Sequence, residues 1–520
     1  MSAWGSGYVT DVEYASGFCR GQSPVIMQLA CWLNGIETAP TGEDFAYCEL
    51  GCGKGLTSLV LAASNPRARF VAVDFNPVHV MHAAGTARAA GLDNIEFLES
   101  SFEELVDGRR RELPQFDFVT LHGVYSWISP AGRQAIVRFL GHCLKPGGLV
   151  YVSYNAMPGW AFGSAVQRLL KDIAGTSSDR SDRRALGAVG LVQKLAAVEA
   201  KALAGNSFID TIVGHANRSH GAYLAHEYLN EHWSALYHAD VARDLSAAKL
   251  EYVGSAELLR NFPEFRVSPA QRELVREFEG GPLQETMWDF CSHHNFREDV
   301  FIRGAARMEA RKREELLRQL TLVLLVPRVS FSFAHKVLAG EAKLDPTMYG
   351  AIADALTERS QTVEELLNLP ETRNKSDITA VEIVGALVGP DQALPLKHGM
   401  DAGDQGPADR LNRVLADGIE DLQPDGSIAL ALPAVGSGVP LSHFEAAIYR
   451  MLRSGVPVTI ETATEQSWRA MRAHGRRPVK DGKPIEDDAE AVEFLRSYVR
   501  KITESRVPLW QRLWPRLGRS

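Results

Sequence analysis

The chain of 520 residues contains few cysteines and no long apolar run. Its six cysteines lack C-x-x-C spacing, which argues against a disulfide framework or a zinc ribbon and favours reduced thiols in a cytoplasmic protein. No stretch of about 18 apolar residues occurs, and the N-terminus lacks the basic start and apolar run of a signal peptide. We therefore expect a soluble cytoplasmic protein without a membrane span.

The chain also has no excess of positive charge and lacks the common metal-binding pattern. The net charge is −8, so no overall cationic field draws the chain to nucleic acid, and we expect no nucleic-acid partner. His226-Glu227 and His232 are too far apart for the H-E-x-x-H pattern that places two imidazoles on one helix face. The sequence therefore predicts no metal site. A general-base or substrate-contact role for His226 or Glu227 stays open.

Residues 49–55 form the most informative segment of the chain. They read Glu-Leu-Gly-Cys-Gly-Lys-Gly between an apolar run and an apolar stretch with helical periodicity. Alternating glycines between a strand and a helix let bare backbone approach a small polar ligand. The third glycine, Gly55, comes one residue earlier than in the G-x-G-x-x-G loop of dinucleotide-binding folds, which counts against a dehydrogenase.

Four further segments predict parallel strands after this loop. The second strand, 69–74, ends in Asp74, whose carboxylate can accept hydrogen bonds from both hydroxyls of a ribose. Phe75, which follows it, would lie on the face of an adenine ring. The remaining predicted strands are 94–98, 116–121 and 149–154, the last of them after a Lys-Pro-Gly-Gly turn. Together these segments predict an α/β fold built on a mostly parallel sheet.

The glycine loop, the acid that ends the second strand and the turn before the fifth resemble class I S-adenosylmethionine-dependent methyltransferases. That family has a Rossmann-like core with a mostly parallel seven-stranded sheet. The segments 122–127, 153–160 and 296–301 resemble a bacterial family of these enzymes that carries a predicted regulatory domain. The domain arrangement is also similar to that of rickettsial protein lysine methyltransferases that modify outer-membrane proteins. The resemblance implies S-adenosyl-L-methionine as cofactor.

The resemblance also implies which residues bind the cofactor. In the family, the position of Ser101 is usually Asp and reads the adenine amino group, so this chain departs from the pattern there. The implied cofactor-binding residues are Glu49, Gly51, Gly53, Gly55, Asp74, Phe75, Ser101, Phe102 and His122.

Loops at the carboxyl ends of strands four and five face the ligand in an open parallel sheet. In this chain they carry the predicted catalytic residues Tyr125, Trp127, Tyr154 and Asn155. Aromatic rings with one amide are typical of an amine pocket such as a lysine channel, because an apolar pocket disfavours the charged ammonium. No proline pair follows strand four, so methylation of nucleobase amino groups is disfavoured.

Three functions stay open on the sequence alone. The first is a protein N-methyltransferase acting on lysine, the second a small-molecule O-, N- or C-methyltransferase, and the third a non-catalytic cofactor-binding scaffold. The acceptor is accordingly a protein or a small molecule, and a homodimer is left open.

The chain is long enough for several domains. The predicted division is a cofactor-binding domain with an N-terminal lid and a helical insertion, a mainly helical regulatory domain, a linker and an α+β C-terminal domain. The corresponding residues are 1–265 (lid 1–40, insertion 160–215), 266–396, 397–407 and 408–520.

Overall fold

The computed structural model describes most of the chain. The described residues are 5, 7–13, 17–39, 42–107, 113–217, 221–281, 283–375, 378–397, 404–421, 428–473, 475–480 and 483–517. Most of the linker predicted at 397–407, and residues 1–4, 6, 14–16 and 40 of the predicted lid, lie outside these ranges.

A seven-stranded sheet forms the centre of the N-terminal half, as the sequence predicts. Its strands are β1 (Ala46–Leu50), β2 (Arg69–Asp74), β3 (Ile95–Glu99), β4 (Phe116–Leu121), β5 (Leu144–Asn155), β6 (Leu250–Ser255) and β7 (Phe296–Arg303). The strand order is β3-β2-β1-β4-β5-β7-β6. Strands β1 to β5 pair in parallel, and β7 runs antiparallel to both of its neighbours.

The pairing of β7 with β5 bears on the predicted end of the cofactor-binding domain. Val300 of β7 pairs with Tyr151 of β5, and the strand is almost wholly buried. The cofactor-binding domain therefore extends past residue 265, where its end was predicted, to at least Arg303. The reason lies in topology, because an inserted antiparallel strand is specified by long-range pairing.

Helices cover both faces of this sheet, and several of them lie in residues 160–215. The helix after β2 begins with Pro77, and the Asn76 side chain before it accepts a hydrogen bond from the backbone of Val78. The helices of this half are Pro24–Leu33, Leu56–Ser64, Pro77–Ala89, Phe102–Val106, Pro130–Cys143, Ala161–Ala174, Ser181–Ala197, Phe208–Asn217, Gly221–Tyr228 and His238–Ser246.

The middle region is mainly helical and also holds a small sheet. Strand Thr321–Leu324 pairs antiparallel with Gln361–Thr362 and Ala393–Pro395, and Ala334–Val337 forms a hairpin with Gly340–Lys343. The helices are Pro263–Arg266, Pro269–Arg276, Gln284–Ser292, Ala310–Arg318, Pro346–Glu358, Val363–Leu367, Pro370–Arg373 and Ala380–Val388. The two-residue strand Ala306–Arg307 pairs with Ile36–Glu37.

The C-terminal region packs directly on the cofactor-binding half. Every residue of helix Leu56–Ser64 is buried, because the sheet covers one side and the C-terminal hairpin Ile428–Leu432/Ser437–Leu441 covers the other. The Ser64 hydroxyl donates a hydrogen bond to the Ser437 carbonyl at 2.7 Å. The helices of this region are Gly406–Asp417, His443–Arg453, Ile460–Ala473, Asp488–Lys501 and Val507–Leu513, and two-residue strands pair at Val479–Lys480 and Lys483–Pro484.

Candidate active site

The glycine loop adopts a backbone conformation that residues with side chains rarely adopt. Gly51, Gly53 and Gly55 have φ angles of +74°, +54° and +74°, a region that favours glycine. A Cβ atom at Gly51 would lie 2.5 Å from Cγ2 of Val124, and one at Gly55 would lie 2.6 Å from the ring of Phe97. Among the described residues, a Cβ at Gly53 would meet nothing within 4 Å. Two glycines therefore allow close packing, and the third leaves space open for a ligand.

Asp74 organises the neighbouring turn. One carboxylate oxygen accepts a hydrogen bond from the Gly53 backbone at 2.8 Å, and the other accepts one from Asn76 at 2.9 Å. His79 Nδ1 lies 3.4 Å from the second oxygen. The carboxylate thus ties the end of β2 to the glycine loop and borders the same cavity as the loop.

Glu49 is a buried carboxyl group at the end of β1. It accepts a hydrogen bond from the Ser58 hydroxyl in the helix that follows the loop. Burial raises the pKa of Glu49 to about 7, although the hydrogen bonds from Ser58 and Gln22 act in the opposite direction. The group is therefore poised between its two protonation states near neutral pH.

A cavity of about 1000 Å³ lies at the carboxyl edge of the sheet. Its volume is at the upper end of the range for small-molecule and cofactor sites. The cavity brings together eleven of the thirteen predicted site residues, namely Glu49, Gly51, Gly53, Gly55, Asp74, Phe75, Ser101, Phe102, His122, Trp127 and Asn155.

The N-terminal segment also lines this cavity, as a lid would. Tyr8 packs edge-on against Phe75 with ring centroids 5.7 Å apart. Lys54, inside the glycine loop, forms an ion pair of 2.6 Å with Glu13, and this hydrogen bond lowers the pKa of Glu13. The loop and the segment above it are therefore held together by charge as well as by packing.

Two predicted catalytic residues, Tyr125 and Tyr154, do not line the cavity in the part of the chain that the structure describes. The Tyr154 hydroxyl donates a hydrogen bond of 2.6 Å to Asp299 on the opposite face of the sheet, and Tyr125 is buried in the same apolar cluster. Neighbouring residues of a strand point to opposite faces, so Asn155 faces the cavity and Tyr154 does not. We therefore remove both tyrosines from the candidate site.

Asn155 meets a buried carboxyl group in the lining of the cavity. Its side-chain amide donates a hydrogen bond of 3.2 Å to Glu227, which lies on helix Gly221–Tyr228 together with Tyr223. Burial raises the pKa of Glu227 to about 7, against the hydrogen bond from Asn155, which lowers it. Within the described part of the chain, no basic side chain forms an ion pair with Glu227.

Four aromatic rings also line this cavity. They come from the loop after β4, the loop after β5, helix Gly221–Tyr228 and the start of β7, and are Trp127, Trp160, Tyr223 and Phe296. Tyr223 and Phe296 were not predicted as site residues. The four-residue spacing of Tyr223 and Glu227, which puts both on one helix face, is the signal that could have found Tyr223.

His226, the other candidate left open, lies outside this cavity lining. Its Nε2 atom is 3.0 Å from the Val12 carbonyl, and burial lowers its pKa to about 4. The histidine therefore stays neutral and connects the insertion to the N-terminal segment.

The site fits S-adenosylmethionine on several counts. The backbone beside Gly53 is open, the carboxylate of Asp74 borders the cavity, and Phe75 and Phe102 supply flat apolar faces nearby. Ser101 caps the helix Phe102–Val106, where its hydroxyl accepts a hydrogen bond from Glu104 at 3.2 Å. The strand order, the glycine loop and the acid after β2 together define a class I S-adenosylmethionine-dependent methyltransferase.

Comparisons with known proteins agree with this class. Residues 48–150 match the family described as "Methyltransferase domain", and residues 220–303 match "Predicted methyltransferase regulatory domain". The chain is 31% identical over 511 residues to the uncharacterized protein sll1526 of Synechocystis, covering 98% of this chain and 99% of that protein. It is 25% identical over 334 residues to the uncharacterized protein RP789 of Rickettsia prowazekii, covering 62% and 58% respectively.

A solved structure has the same fold over nearly the full length. PKMT2 from Rickettsia typhi in complex with AdoHcy superimposes with a TM-score of 0.64 at 15% identity, covering 97% of this chain and 99% of that one. The chain belongs to the family of the Synechocystis protein, and it is an S-adenosylmethionine-dependent methyltransferase with a methyltransferase regulatory domain. No helix in the described ranges is both long and apolar enough to span a bilayer.

Proposed function

We propose that the enzyme methylates the side-chain amine of lysine in proteins. The observation that carries the proposal is the buried Glu227 carboxyl group, which is hydrogen-bonded by Asn155 and lines the cavity together with several aromatic rings. A buried carboxylate without a cationic partner favours the entry of a ligand that brings positive charge. Aromatic faces stabilise an ammonium group at the same place.

The cofactor, when bound, supplies an activated methyl group on a sulfonium. The residues of the chain bind the cofactor, orient the acceptor and accept the proton that the acceptor loses. We assign Asp74 and the glycine loop to cofactor binding and Trp127, Trp160 and Phe296 to the exclusion of water from the acceptor.

Glu227 would take the proton that an ammonium must lose before its nitrogen can attack. One N–H bond of the acceptor breaks and one O–H bond forms on the carboxylate, which leaves a nitrogen lone pair. A pKa of about 7 suits this transfer, because such a group is partly ionised at neutral pH and still accepts a proton readily. Asn155 would keep the carboxylate oriented through its 3.2 Å hydrogen bond.

The test is transfer of tritiated methyl from S-adenosylmethionine to the proteins of a bacterial extract, followed by acid hydrolysis and amino-acid analysis. We expect label in methylated lysine, and we expect Glu227→Gln to lower the rate by about 100-fold or more, the usual scale for loss of a general base. Glu264→Gln, at an exposed carboxyl outside the cavity, is the matched control. Label found only in small molecules would contradict the proposal and favour a small-molecule acceptor.

A further inference from the structure

Three side chains with metal-binding atoms meet beside the cofactor cavity. Cys19 lies in the N-terminal segment, His122 directly follows β4, and Glu298 belongs to β7. One ligand atom of each lies within 4.8 Å of the other two. They come from segments more than 100 residues apart, so only the fold brings them together.

The contacts of the His122 ring exceed what one nitrogen can satisfy. Its Nδ1 atom lies 2.8 Å from the Tyr151 hydroxyl, 3.2 Å from the Ser153 hydroxyl and 3.4 Å from the Cys19 sulfur. An imidazole nitrogen has either one lone pair or one proton, so it forms one good hydrogen bond. The ring therefore cannot form good hydrogen bonds to all three groups through this atom.

The electrostatic surroundings also favour a cation. Glu49 lines the cofactor cavity together with Cys19 and His122. Arg260, which lines the second cavity with Glu298, is already engaged by Glu257 at 2.6 Å and by the Phe296 carbonyl at 3.0 Å.

We propose that Cys19, His122 and Glu298 bind one divalent transition-metal ion, with Zn²⁺ as the best match. Thiolate, imidazole and carboxylate are the ligands that zinc takes in proteins. Bond lengths of about 2.3 Å to sulfur and about 2.0 Å to nitrogen at a tetrahedral angle separate the two ligand atoms by about 3.5 Å. The Sγ–Nδ1 distance of 3.4 Å matches this value.

Binding would release the Cys19 thiol proton, together with the Glu298 proton when that group is protonated. The ion then carries two anionic ligands and one neutral one, so its charge is balanced inside the protein. This balance removes the cost of holding two separate buried anions.

The ion would lie where two cavities adjoin. Cys19 and His122 line both the cofactor cavity and a second cavity of about 930 Å³, which Glu298 also lines. The second cavity lies between the stretch 256–260 and the middle region, whose hairpin contributes Lys336 to the wall. Three protein ligands leave a fourth position that is open to a ligand in this cavity. The site is independent of which acceptor the enzyme methylates.

The test uses the full-length protein, stripped with a chelator and titrated with Co²⁺, followed by competition with Zn²⁺. We expect one Co²⁺ per chain, a near-ultraviolet charge-transfer band from thiolate to cobalt, and loss of that band when Zn²⁺ is added. Cys19→Ser should remove the band, and Glu298→Gln should weaken metal binding by about 10–100-fold. Cys291→Ser, at a cysteine outside both cavities, should change neither.

Circular dichroism of each variant controls for folding, and the wild-type protein by itself tests whether a thiolate-bound metal ion is present. Absence of a charge-transfer band at saturating Co²⁺ would overturn the proposal. So would a band of equal strength in a folded Cys19→Ser variant.

Discussion

Alanine substitutions at the three glycines of the loop should have two different effects, one on stability and one on cofactor affinity. Gly51→Ala and Gly55→Ala each force an L side chain into the left-handed region, which costs about 1–2 kcal/mol. Their Cβ atoms would also lie 2.5 Å from Val124 and 2.6 Å from Phe97, and overpacking of a core adds about 1–3 kcal/mol. We expect each of the two variants to be destabilised by about 2–5 kcal/mol.

Gly53→Ala carries only the backbone cost of about 1–2 kcal/mol, because its Cβ meets no atom of the described residues within 4 Å. That methyl group would occupy space in the cofactor cavity instead. We therefore expect a fold close to that of the wild type and a clear loss of AdoHcy affinity, which should become complete in Gly53→Asp. Gly85→Ala, in an open position of the helix Pro77–Ala89, is a control that should stabilise by about 0.5–1 kcal/mol.

Urea unfolding followed by tryptophan fluorescence gives the order of the midpoints, and calorimetry gives AdoHcy affinity. The expected order, from most to least stable, is Gly85→Ala, wild type, Gly53→Ala, and then the other two variants together. The reasoning would be refuted if Gly53→Ala bound AdoHcy as tightly as the wild type does. Equal midpoints for all three loop variants would refute it as well.

Three further predictions concern carboxyl groups. Asp74→Ala removes the acceptor of two backbone hydrogen bonds, so AdoHcy affinity measured by calorimetry should fall by about 1–3 kcal/mol, whereas Asp172→Ala on an exposed helix face should leave it unchanged. If Glu227 accepts the acceptor's proton, the methylation rate should rise as pH increases through about 7, where the carboxyl group ionises, and this inflexion should be missing from the pH profile of Glu227→Gln. Asp299→Asn should lower the urea midpoint by an amount equivalent to about 1–3 kcal/mol, because it removes one charged partner of the buried Arg297, which keeps Asp289 at 2.6 Å and Glu285 at 2.9 Å; unchanged stability would contradict this. Although burial opposes ionisation, Arg297 holds the pKa of Asp299 well below its usual range, so the contribution is present above about pH 4 and is lost as pH falls.

The parallel core could be predicted because its signals are local. Each strand is a short apolar run that ends in a residue with a defined chemical role, as at Glu49 and Asp74, and the predicted strands match the observed ones to within a few residues. The seven-stranded, mostly parallel sheet was confirmed.

The residues around Asn155 and Glu227 could not be predicted in the same way. Asn155 and Tyr154 are adjacent in sequence, and only the register of β5 against β7 decides which of them faces the cavity. Glu227 was left open as a substrate contact, but its hydrogen bond with Asn155 depends on how helix Gly221–Tyr228 packs on the sheet. Spacing rules could not predict the cluster of Cys19, His122 and Glu298, because these rules compare residues on one element.

The packing of the C-terminal hairpin on helix Leu56–Ser64 has a consequence for synthesis of the chain. A nascent polypeptide that has emerged from the ribosome only as far as residue 290 contains the glycine loop, yet it lacks the strand that joins β5 to β6. Until residue 441 has followed, the helix behind the loop still exposes the apolar side that the hairpin later covers. The cofactor site is therefore completed only after most of the polypeptide has been synthesised. Fragments that end earlier expose an apolar surface that favours aggregation.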